Sequence, residues 1–89
     1  MKKTIHSVEY TALLRLLRQK RLEAGLTQLQ LARALRTSQS FIGKCERGER
    51  RIDAVELRAF CMAMGMTLAE FAVELERYLP VGTLPARAK

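Results

Sequence analysis

Three times in 89 residues a helix-capping side chain stands three positions ahead of a glutamine or glutamate: Thr27 before Gln30, Asp53 before Glu56 and Thr67 before Glu70. In that spacing the first side chain accepts from an orphan amide of the first helical turn, while the second reaches back to the backbone of the cap. Each pair therefore marks a helix start, and the intervals between them leave room only for short helices. Ser38 supplies a further cap ahead of a fourth run. A longer run precedes them all, repeating apolar residues at Tyr10, Leu13, Leu14 and Leu17 with Arg15, Arg18 and Arg21 outward, and stopping at Gly25. The pattern predicts five helices, over 9–24, 28–35, 39–46, 54–64 and 68–79.

Composition agrees with an all-α class. Apolar residues make up 48% and aromatics only 6%, which suits a bundle of Leu- and Ala-rich helices better than a β-sandwich fed by aromatic and β-branched residues. The length allows one small domain. Residues 9–79 are read as that domain, residues 1–8 as an N-terminal extension, and residues 80–89 (PVGTLPARAK), with two prolines and no periodicity, as a disordered tail. Leu31, Ala32, Leu35, Ile42 and Cys45 are spaced to form the seam between the second and third helices, where a small Ala32 lets the axes cross closely. Leu57, Phe60, Cys61 and Met64, then Leu68, Phe71, Ala72 and Leu75, complete the expected core. Cys45 and Cys61 sit in apolar-periodic runs without His or Cys neighbours at metal-ligand spacing, so both are read as reduced core thiols and no metal or cofactor is expected.

Sixteen Lys and Arg against nine Asp and Glu give a net charge of +7, a field that attracts polyanions. The excess is placed unevenly: residues 1–35 carry +5, 36–51 carry +3, 52–79 carry −3, and the last ten carry +2. The basic excess thus coincides with Thr27 to Arg47, read TQLQLARALRTSQSFIGKCER, in which two capped amphipathic runs flank a tight polar turn. That arrangement is how a helix-turn-helix is written, with the second helix entering the DNA major groove. No run approaches the roughly 18 apolar residues of a membrane span, and neither an anchor nor a signal peptide is evident, so a cytoplasmic location is expected.

The pieces AGLTQLQLARAL, SQSFIGKCERGERRID and AMGMTLAEF resemble the lambda-repressor-like, Xre/Cro-type helix-turn-helix family over about residues 10–76, in its subgroup of small single-domain regulators. The resemblance implies that Gln39, Ser40 and Lys44 present base-reading side chains from the third helix. Glutamine can pair with adenine, serine with either kind of base, and lysine with guanine, the alternative for Lys44 being contact with a phosphate only. It also implies that Gln28 bonds a phosphate, and Arg36, Thr37, Arg47, Arg50 and Arg51 flank the helix as further phosphate contacts that position without specifying. Members of the family commonly bind as two-fold dimers, so a homodimer is expected, with Leu75, Tyr78 and Leu79 as its contact unless that stripe packs within its own chain. The implied function is a transcriptional regulator, a repressor acting by occupancy of a double-stranded operator, with no small-molecule ligand.

Three positions depart from the expected pattern. The turn between the second and third helices usually carries glycine where this chain has Arg36, so a non-glycine residue there must adopt a left-handed conformation. Gly43 lies within the third helix, either to let the backbone approach DNA closely or as a surface substitution. Lys20 stands where an apolar residue would face the core, and its stem can snorkel. An enzyme is excluded by the lack of a Gly-rich phosphate loop or a nucleophile with a base, since the single histidine, His6, lies in an unpatterned segment. The alternative is a protein-interaction module such as an antitoxin or adaptor. RNA binding lacks the aromatic platforms it needs, with two Tyr and three Phe mostly assigned to core.

Overall fold

Every helix start is held by a side chain. In the computed structural model, which describes residues 7–79, α1 (Val8–Glu23), α2 (Gln28–Leu35), α3 (Gln39–Glu46), α4 (Ala54–Ala63) and α5 (Leu68–Arg77) follow one another with no strand among the described residues. Thr27, Asp53 and Thr67 accept from the amides of Gln30, Glu56 and Glu70 at 3.0, 2.7 and 3.0 Å. The return bond of each capping box spans 2.9 Å. Ser38 caps α3 through the amide of Phe41. Ser7 caps α1 through the amide of Tyr10, so the helix begins one residue earlier than periodicity predicts. The other ends differ from expectation by a residue or two: α1 stops at Glu23, α4 at Ala63, and α5 at Arg77, beyond which Tyr78 and Leu79 form a turn. The expected N-terminal extension and tail lie, but for residues 7 and 8, outside the described residues.

The core is drawn from all five helices: Leu16 and Leu17 from α1, Leu31 and Ala32 from α2, Ile42 and Cys45 from α3, Phe60 and Cys61 from α4, and Phe71 from α5. Ala32 and Ile42 are wholly buried where α2 meets α3, which is what lets these two short helices cross closely. Leu35, Leu57, Met64, Leu68 and Leu75 pack around that centre half-buried. Two expectations need correction. Ala72 is exposed rather than part of the core, and Leu16, absent from the predicted stripe, is 2% exposed. Both cysteines are free and buried, and burial pushes each thiol up to about 11.

The largest departure is Arg21. Periodicity placed it outward with Arg15 and Arg18, but it is 5% exposed. Its Nε and Nη2 meet the two carboxylate oxygens of Glu46 at 2.6 and 3.0 Å, and its Nη1 donates to the carbonyl of Leu26 at 2.8 Å. Arg21 stands four residues after Leu17 and so falls on the buried stripe of α1, where a guanidinium is tolerable only because its donors are satisfied. The bond ties α1 to the end of α3 and so fixes the angle at which α3 is presented. Lys20 does more than snorkel: its Nζ reaches Glu23 at 3.2 Å and Glu74 at 2.6 Å, joining α1 to α5.

Candidate nucleic-acid interface

Helix α3 has two faces with opposite fates. Ile42 and Cys45 are buried, and Phe41 is half-buried, whereas Gln39, Ser40 and Lys44 are exposed. Ser40 and Lys44 are four residues apart and so lie one above the other, with Gln39 opening the helix beside them. None of the three has a side-chain partner among the described residues, so the amide, hydroxyl and ammonium all point their bonding capacity outward.

The turn leading into this helix is built on a left-handed residue. Arg36 takes φ 58°, ψ 46° as the cap of α2, and the amide of Thr37 returns to the carbonyl of Ala32 at 2.9 Å. Gly25 and Gly65 hold the corresponding positions after α1 and α4 at φ 76° and 81°, so Arg36 does a glycine's work with a side chain attached. That side chain is exposed. Thr37 is half-buried and faces a small cavity of about 230 Å³ shared with Leu35, Phe41, Glu56, Ala59 and Phe60.

The other predicted phosphate contacts are already engaged within the chain. Gln28 donates from Nε2 to Glu46 Oε1 at 3.0 Å, joining the buried Arg21 pair. Arg47 is bound by Glu49 through Nε at 2.9 Å. Arg50 meets Glu56 Oε1 at 2.6 Å and stacks over the Phe41 ring at 4.9 Å. The Glu56 hydrogen bond holds the Arg50 proton more firmly than usual, and the Arg50 bond, then the Asp53 amide, hold Glu56 below the ordinary carboxylate range. Arg51 lies over the Tyr10 ring at 4.5 Å, and the Tyr10 hydroxyl accepts from the amide of Ile52 at 3.1 Å. These arginines therefore shape the loop after α3 as well as charging it.

Sequence reasoning missed the carboxylates that do this, Glu46, Glu49 and Glu56, because their partners are set by the fold. Gly43 is also corrected: it is no surface substitution but is buried, and a Cβ there would stand 3.0 Å from Arg47 Nη1 and 3.6 Å from Gln28 Oε1. Of the predicted dimer contact, Leu75 packs against the chain's own core, Leu79 is half-buried, and Tyr78 is 59% exposed.

Residues 10–75 match the model of a helix-turn-helix domain. A solved XRE-family-like protein from Pseudomonas syringae pv. tomato str. DC3000 is 42% identical, with a TM-score of 0.76 over 81% of this chain and 88% of that one. The chain belongs to the XRE-type, lambda-repressor-like helix-turn-helix family. The clp gene regulator ClgR from Corynebacterium glutamicum is 30% identical, with a TM-score of 0.70 over 80% of this chain and 76% of that one. A second structure of ClgR from the same organism is 28% identical, with a TM-score of 0.72 over 85% of this chain and 99% of that one. No curated protein matches the chain. No helix among the described residues is long and apolar enough to cross a membrane.

Proposed function

We propose that this helix-turn-helix protein is a sequence-specific double-stranded DNA-binding regulator, a repressor that acts in the cytoplasm by occupying its operator. The observation that carries the reading is the outward face of α3, where Gln39, Ser40 and Lys44 stand exposed, without a side-chain partner among the described residues, at the position from which this motif reads base edges. Arg36, Thr37, Gln28, Arg47, Arg50 and Arg51 flank α3 in the sequence or at its neighbouring helix start, and in this reading they supply the sequence-independent hold on phosphates. For Gln28, Arg47 and Arg50, contact with a phosphate means sharing or exchanging a bond already made within the chain.

A single copy presents one short recognition helix, and tight selective binding calls for two. The proposed homodimer contact is the Tyr78 end of α5, with Leu79 beside it. Tyr78 lines an open groove together with Val8, Thr11, Ala12 and Arg15 of α1, and Leu75 serves the fold rather than the contact. Selection from a random duplex library tests the function, and light scattering tests the assembly. The reading predicts a two-fold symmetric site with half-sites about 34–36 Å apart and a dimer mass that Tyr78→Glu halves. Failure to enrich any site would leave the fold as a protein-interaction module of the adaptor or antitoxin kind.

A further inference from the structure

Arg47 lies folded along α3 rather than extended from it. Its Nε and Nη2 reach the two carboxylate oxygens of Glu49 at 2.9 and 3.4 Å. Its Nη1 rests over Gly43, in space that any Cβ would crowd, with the Gln28 amide oxygen at the edge of the same notch. The backbone sets the position of the carboxylate. Gly48 turns left-handed at φ 79°, and the amide of Glu49 returns to the carbonyl of Lys44 at 2.9 Å, which brings the Glu49 side chain back beside the last turn of α3.

The carboxylates near this face are not equivalent. Glu46 is buried beneath Arg21, and Glu56 caps α4 while bracing Arg50, so both have work in the fold. Glu49 holds Arg47 at the surface, with side chains 58% and 38% exposed, where solvent screens the pair and limits it to about 1.4- to 5-fold in an equilibrium constant. A partner that weak yields to a phosphate.

Resting on the DNA-binding reading above, we propose that Glu49 is a built-in competitor of DNA phosphate for Arg47. Its carboxylate keeps the guanidinium along α3, and a phosphate of the duplex must compete with that carboxylate to gain it. The effect is to trim the sequence-independent share of the affinity, which a chain of net charge +7 would otherwise spend on any duplex. Base contacts from α3 then carry a larger part of the total.

The test measures binding to a random-sequence duplex across a salt series for the parent, Glu49→Gln, Arg47→Gln and the double variant, with circular dichroism to show that all four fold alike. Glu49→Gln is expected to tighten binding about two- to five-fold. In the Arg47→Gln background the same change should deliver less than half of that gain on a logarithmic scale. Arg47→Gln should also lower the salt slope by about 0.9, the share of one phosphate contact. Equal gains in both backgrounds would show plain repulsion between carboxylate and phosphate and overturn the proposal, as would unchanged or weaker binding by Glu49→Gln. A parent that binds no duplex would overturn the DNA-binding reading itself, whereas a parent that binds with equal gains removes only the role of Glu49.

Discussion

Arg21 and Glu46 are joined through two hydrogen bonds, at 2.6 and 3.0 Å, across the gap between α1 and the end of α3. Both side chains are nearly excluded from water, at 6% and 4% exposure. Removing one partner of such a pair strands the other, which costs about 3–5 kcal/mol, while an apolar replacement of both can recover much of the loss. Arg21→Met should therefore lower stability by about 3–5 kcal/mol, and Arg21→Met with Glu46→Met by clearly less. Denaturant melts of the two variants check this. A single variant that loses under about 1 kcal/mol, the range of an exposed pair, would mean that the bond is open to solvent.

Arg36 holds a left-handed backbone that glycine adopts without a Cβ penalty. Arg36→Gly should raise stability by about 1 kcal/mol, seen as a melting temperature higher by about 4–8 °C for a domain of this size. The same change deletes an exposed cation beside α3 and should weaken duplex binding. An unchanged or lower melting temperature would count against the turn geometry.

Gly43 separates the demands of helix and site. A glycine inside a helix costs about 0.8–1.0 kcal/mol relative to alanine, and the nearest obstacle to a Cβ is the far end of an exposed arginine that can swing aside. Gly43→Ala is expected to melt higher than the parent. A lower melting temperature would show that the notch is rigid and that Arg47 cannot leave it.

The two cysteines should be chemically silent in the folded state. Burial holds each thiol up to about 11, whereas a free thiol in an unfolded chain ionises near about 8.5. Because the folded values are raised, the neutral thiols add stability in full below about pH 8.5, and that contribution fades as pH rises from there toward the folded value. Iodoacetamide at pH 8 should label both only at the rate of unfolding. Labelling that is fast in buffer and unchanged by denaturant would mean that one thiol is accessible.

How much of this was legible in the sequence follows from how local each feature is. Caps at Thr27, Ser38, Asp53 and Thr67 depend on residues three apart, so α2 to α5 could be placed from their starts alone. The outward face of α3 was legible for the same reason: once Ile42 and Cys45 are buried, helical spacing leaves Gln39, Ser40 and Lys44 outside. Arg21 reads as outward by its charge but as inward by its spacing from Leu17, and only its distant partner Glu46 makes burial tolerable. Gln28, Arg47 and Arg50 looked like free phosphate ligands because a sequence does not show which carboxylate a loop turns toward them. Gly43 needed its neighbours too, since its purpose is the space that Arg47 and Gln28 occupy.

The central claim is that α3 reads bases through its first turn, and Gln39→Ala tests it most directly. Gln39 is exposed at the first position of α3 and makes no structural bond among the described residues, so its loss should leave the fold intact. A glutamine paired to a base contributes about 1–3 kcal/mol of discrimination. The expected result is a loss of about 5- to 150-fold on the selected site, with binding to random duplex within about two-fold of the parent. Equal losses on both duplexes, or none on either, would contradict base reading by this helix.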